Sequence, residues 1–178
     1  ALDLARQNRG PISDADQTPI APGYKASDEV GDGRRTARFV TEAPILAFFS
    51  IQSARYSEKT VRHGDVDLTV YYDAQHPYNV DRMIDSMKAS LDYFQANFSP
   101  FQFRQARILE FPAYASFAQS FANTVPWSES LGFIADNSDR EKIDYVTYVG
   151  AHEIGHQWWA HQVIGADMQG STTLSETL

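Results

Sequence analysis

His152-Glu153-Ile154-Gly155-His156 is the stretch on which the reading of this chain turns. Two histidines stand four residues apart, with a glutamate directly after the first. On an α-helix four residues make slightly more than one turn, so His152 and His156 lie about 40° apart on one face. Their imidazoles can hold two corners of one zinc tetrahedron. Glu153 is rotated about 100° from His152, which places its carboxylate beside the metal's open corner and outside the ligand set. A carboxylate there can take a proton from an attacking water, as in metallopeptidases.

The flanks predict one long helix. The run from Asp139 to Ala151 precedes the motif, with Ser138 or Asp139 as N-cap. Asp139 and Glu141 fall in the first turn, where the helix dipole favours negative charge. Ile143, Val146, Val149 and Ile154 keep helical spacing on an apolar stripe. Gly150 and Gly155 cost helix propensity, so each implies a close approach or access to a site. Trp158 and Trp159 are assigned to the core rather than to substrate contact.

A third ligand is required, and the candidates are His161, Asp167 and Glu176. His161 lies about 140° round from His156 and faces away if the helix continues. Asp167 follows Gly165 in a turn and could ligate only if the chain doubled back at once. Glu176 sits in Thr172-Thr-Leu-Ser-Glu-Thr-Leu, the start of a second helix. A short loop and an antiparallel helix would return Glu176 over the histidines. His-His-Glu with one open position is a catalytic zinc environment, and Glu176 is chosen.

His-Glu-x-x-His followed by a glutamate on the next helix resembles the gluzincin class. The run His156-Gln-Trp-Trp-Ala-His-Gln-Val and the upstream Ser128-Glu129-Ser130-Leu131-Gly132 are similar to the aminopeptidase N family of zinc metallopeptidases. The resemblance covers roughly residues 36 to 178, most densely 125 to 178. It implies zinc held by His152, His156 and Glu176, with Glu153 as general base. It also implies that Glu129 grips the free α-amino group of a peptide, as the glutamate of the family's Gly-x-Met-Glu-Asn segment does. From the residues alone, Glu129 reads as a solvated loop charge before a short strand, Leu131–Ile134.

Several segments depart from the family pattern. Ala160-His161 replaces the usual Gly-Asn, and Thr173-Leu174-Ser175-Glu176-Thr177 replaces Trp-Leu-Asn-Glu-Gly. Pro126-Trp127-Ser128 stands where Gly-x-Met is usual, and the gap from His156 to Glu176 is one residue longer. These variants look most like a branch whose peptidase domain is fused to a multi-spanning, transporter-permease-like membrane protein. That match implies a membrane-anchored parent with this domain outside the cytoplasm, although the segment itself assigns no compartment. In the family the helical half of the catalytic domain follows the third ligand and carries a tyrosine that stabilises the oxyanion. No tyrosine lies beyond Tyr148 here. The chain is therefore expected to be a fragment, weak or inactive alone and prone to self-association.

Composition fits a soluble globular piece. Hydrophobic residues make up 43% and aromatics 13% of the 178 residues, sufficient for a core. The net charge of −8 argues against nucleic acid or an anionic membrane surface as partner. No run of apolar residues is long enough to span a bilayer, and the first residues lack a signal-peptide pattern. The absence of cysteine excludes disulfides and a thiolate zinc site.

The predicted fold is α+β: the N-terminal half of a thermolysin-like zinc metallopeptidase catalytic domain (58–178), preceded by the end of a β-domain (1–57). Residues 1 to about 35 carry Gly10-Pro11, Ala21-Pro22-Gly23 and Gly31-Asp32-Gly33 and read as loop. Partial alternation over 36–57 reads as terminal strands. Val66–Tyr72 and Arg107–Phe111 read as strands. Between them a helix opens at Tyr78 or Asn79 and runs to about Phe98, with Met83, Met87, Leu91, Phe94 and Phe98 on one face.

The predicted activity is peptide-bond hydrolysis with Zn2+ as cofactor and a peptide with a free N-terminus as substrate. In it Glu153 takes a proton from water and returns it to the leaving amine. The alternatives are a non-catalytic zinc- or peptide-binding module of a membrane protein, and a zinc endopeptidase active on N-terminally blocked peptides.

Overall fold

A computed structural model describes residues 15–163 and Glu176. Eight strands and two helices occur among them. The first part holds β1 (Thr18–Ile20), β2 (Tyr24–Gly31), β3 (Arg34–Val40) and β4 (Gln52–Ala54). β1 pairs antiparallel with β4, and β2 with β3, as two separate two-stranded sheets. Of the punctuation expected to mark loop, Ala21-Pro22-Gly23 and Gly31-Asp32-Gly33 instead join strands, and Gly10-Pro11 lies outside the described residues. Asp32 and Gly33 have φ of 52° and 70°, the left-handed pair that a tight two-residue hairpin turn requires and that Asp-Gly accepts.

The second part is a four-stranded sheet in the order β5 (Ser57–His63), β6 (Val66–Tyr72), β7 (Gln105–Phe111), β8 (Thr124–Ser128). β5 and β6 form a hairpin; β6–β7 and β7–β8 are parallel. The parallel β6–β7 step needs a crossover, and α1 (Val80–Asn97) supplies it. Its apolar face buries Met83, Ile84, Met87 and Leu91 against Leu68 and Val70 of β6 and Ile108 of β7, all in one core cluster. Asn79 is the N-cap residue, but its side chain makes no cap bond. Its Nδ2 donates to Gly132 O (2.7 Å) and Ala135 O (2.9 Å), tying the helix start to the loop after β8.

α2 (Tyr145–Gly155) packs on α1. It starts later than the predicted Ser138 or Asp139. Asp144 is the cap, accepting from Thr147 N at 3.1 Å, and the preceding residues form turns. Val146, Val149 and Ile154 are buried as their spacing predicts, whereas Ile143, outside the helix, is 79% exposed. Gly150 has the close neighbour that its cost implied: a Cβ there would lie 2.6 Å from Ser86 Oγ.

These observations correct the predicted fold class. Sheets of two, two and four strands with only two helices make the described residues mainly β. They do not form a helical, thermolysin-like catalytic domain. The prediction failed in part because Gly31-Asp32-Gly33, within the stretch to about residue 35 read as loop, closes the β2–β3 hairpin. The zinc-motif helix was also extended over residues that a side-chain cap excludes. No helix among the described residues is long and apolar enough to cross a membrane.

Candidate metal centre

His152 and Glu153 occupy the last turn of α2, and His156 is its C-cap residue, still in helical conformation. The i, i+4 relation therefore holds although the helix ends there. His152 Nε2 and His156 Nε2 are 3.1 Å apart. Glu176 Oε2 lies 3.5 Å from the former and 3.8 Å from the latter. Ligands of a tetrahedral zinc ion, at bonds of roughly 2.0–2.1 Å, stand about 3.3 Å apart. The three atoms thus form a triangle of the size zinc requires, and the nitrogen and carboxylate donors suit it.

The protonation states favour the same use. His156 Nδ1 donates to Trp159 O at 3.2 Å, leaving the Nε2 lone pair directed at the triangle. Burial lowers the His156 pKa, keeping the ring in the neutral, metal-binding form. Glu153 is 6% exposed, and its Oε2 has no hydrogen-bond partner among the described residues. Burial, and next the charge of Glu176, push its pKa up to about 7, against a backbone hydrogen bond from Ser120.

His161 faces elsewhere: its Nε2 donates to Ser120 O at 3.3 Å. Asp167 lies outside the described residues. The tryptophans divide. Trp158 is buried, with Nε1 donating to Ser99 O. Trp159 is half-buried and lines a groove of about 410 Å³ with Phe94, Phe98, Tyr148 and the two histidines.

Glu129 follows β8 and is not brought into the triangle. The short strand predicted after it is a turn; the strand comes before it, as β8. Pro126 hid that strand, and it is tolerated because β8 is the last of the four. Glu129 Oε1 accepts from Ala113 N at 2.9 Å, and its Oε2 is 3.8 Å from His76 Nδ1. His76 in turn donates to the buried Glu110. That bond raises the His76 pKa, whereas burial raises that of Glu110 in spite of His76 and the Asp73 backbone N–H. At 2.5 Å, His76 Nδ1 and Glu110 Oε1 are too close to be two ligands of one tetrahedral zinc, about 3.3 Å apart. This cluster is a hydrogen-bonded ion pair with a second carboxylate beside it. Sequence reading missed His76 and Glu110; the one available signal was a glutamate inside the otherwise apolar Ile108-Leu-Glu-Phe111.

No family model matches the chain.

Proposed function

We propose that this chain carries the zinc centre of a peptide hydrolase, an aminopeptidase of the kind that its resemblance to the aminopeptidase N family implies. One observation carries the reading: His152 Nε2, His156 Nε2 and Glu176 Oε2 converge within 4.8 Å of one another, next to a buried glutamate with an unspent oxygen. His152, His156 and Glu176 would hold the ion. When bound, zinc supplies Lewis acidity, which makes water nucleophilic near neutral pH and polarises a carbonyl.

Glu153 supports that chemistry as a proton carrier. Glu153, buried beside the site with one oxygen lacking a partner among the described residues, can take a proton from the attacking water and return it to the departing amine. Its burial keeps bulk water from competing for Oε2. Glu129 is the group for a peptide α-ammonium, through a charge-assisted hydrogen bond.

Zinc analysis of protein purified without chelator, together with assays of the protein on aminoacyl anilides, tests the proposal. His152→Ala/His156→Ala should lose the metal. Glu153→Gln should retain it and lose roughly 10²–10⁴-fold in kcat. Equal zinc in wild type and the double variant, or full activity of Glu153→Gln, would refute the reading. Equal turnover of N-acetylated substrates would reassign the activity to an endopeptidase.

A further inference from the structure

We propose that His76, gripped by the buried Glu110, is a positioning residue for the amine subsite: its ring proton and the α-ammonium of a peptide oppose each other across Glu129. The inference rests on the peptide-hydrolase reading and adds to it the residue that sets when Glu129 is open to a charged N-terminus.

His76 lies in the turn between β6 and α1, where its own N–H donates to Asp73 O at 2.8 Å. Glu110 of β7 clamps that turn at both ends. Its Oε2 accepts from Asp73 N and its Oε1 from His76 Nδ1, each at 2.5 Å. The Glu110 side chain is only 4% exposed, and a carboxylate so buried needs a matching cation. His76 is that cation. Every charged group that acts on His76 among the described residues is acidic: Glu110 from β7, Asp73 from its own turn and Glu129 from behind β8. The Asp73 carboxylate is already engaged by Gln75 N at 2.8 Å. Tyr56, donating to Glu110 O at 2.9 Å, adds a phenol that burial keeps neutral.

Two carboxylates therefore share one imidazolium. Glu129 Oε1 is tied to Ala113 N at 2.9 Å. Its Oε2 stands 3.8 Å from His76 Nδ1, beyond hydrogen-bond length, and is free for another donor. The uncompensated charge thus sits on Glu129, whose side chain is 25% exposed, and one further cation completes the cluster. Loss of the His76 proton leaves one more negative charge beside Glu129 and strengthens its pull on an ammonium. Conversely, a bound ammonium is a like charge for the imidazolium and lowers its midpoint, by about one pH unit at such range. Reciprocity makes the gain in peptide affinity on losing that proton about tenfold. Because Glu110 raises the His76 pKa, the proton is in place at acid pH, and affinity rises as pH rises through the midpoint. The gain ends at about pH 8, where the peptide amine itself loses its proton.

The test uses the isotope-labelled, zinc-supplemented chain with Glu153→Gln, which prevents turnover and removes the titration of Glu153. The His76 imidazole signals, assigned by their loss in His76→Gln, are followed by NMR across pH. The probes are the peptide Leu-Ala-Ala-Leu and its N-acetylated form. Saturating free peptide should lower the His76 midpoint by about one pH unit, and the acetylated peptide should leave it in place. Affinity for the free peptide should rise about tenfold through that midpoint and should be independent of pH over the same range in His76→Gln/Glu110→Gln. A merely structural role would weaken binding in the double variant at every pH without flattening the profile. If that variant misfolds, the midpoint decides alone. An unchanged midpoint, or an equal change with both peptides, would overturn the proposal. A lowered midpoint without hydrolysis by the wild-type protein leaves the role of His76 standing and removes the hydrolase reading. Hydrolysis with an unchanged midpoint does the reverse.

Discussion

Glu153 and Asp28 show how neighbours set the charge of a carboxylate. Glu153 is buried beside a second glutamate and is pushed up to about 7. Asp28 accepts from Arg35 first and Lys25 second, which hold its carboxyl well below the usual range. Because the folded pKa of Asp28 is depressed, its stabilising contribution is complete above the unfolded value, about 4. It is lost as pH falls through the folded value. Asp28→Asn should lower stability at neutral pH and flatten the acid side of the profile, read from urea midpoints across pH. Gly150 is constrained by space: the added methyl of Gly150→Ala would meet Ser86 Oγ at 2.6 Å and Cβ at 3.2 Å. Overpacking of that kind costs roughly 1–3 kcal/mol, measurable by urea unfolding. The placement of both histidines and Glu153 on one helical turn could be read from spacing, because residues that close in sequence have their relative directions set by local geometry. The roles of His76 and Glu110, 34 positions apart, could not be read that way.

At the scale of elements, the periodic signals held and the boundaries moved. α1 begins at Val80 and buries the predicted Met83, Met87 and Leu91, because a helix on a sheet needs a continuous apolar face. Its last predicted face residue, Phe98, lies just beyond the helix and is 55% exposed. α2 is shorter than its pattern because Asp144 caps it. Asp144→Ala should cost about 0.5–2 kcal/mol, seen as a lower urea midpoint with zinc stoichiometry unchanged, since the histidines lie at the opposite end of the helix. β8 and the residues 117–121 that pair back onto it were hidden from the sequence because Pro126 and Asn123 look like breakers. In the fold Pro126 lies on the last of the four strands, and Asn123 adopts φ of 53° in the hairpin turn. Arg107 then links the two parts, donating from within β7 to Ala21 O, Asn123 Oδ1 and Thr124 Oγ1.

For the whole molecule, the centre joins α2 to Glu176, so metal should act as a tie between segments. An ion that binds only the folded chain stabilises it by about 2.7 kcal/mol at one hundred times its Kd. For a chain of this size that is roughly 5–10 °C in Tm. Thermal unfolding should rise by that amount on adding zinc and return with chelator, and His152→Ala/His156→Ala should show neither change. A similar shift in the double variant would place the bound metal elsewhere.

The sequence by itself determined local geometry: which side chains lie within one turn, which glutamate stands next to them, and which helical faces are apolar. These follow from covalent spacing and the helical period. Only the tertiary structure decided that Asp32-Gly33 closes a hairpin between β2 and β3, that residues 117–121 pair back onto β8, and that Glu129 faces His76. Each of those depends on contacts between residues distant in the chain, whose free energy comes from pairing and burial that no local pattern encodes. The fold class was misjudged for the same reason. A glycine or proline marks a change of direction, and whether that change ends a loop or closes a hairpin depends on what the two flanking segments find to pair with.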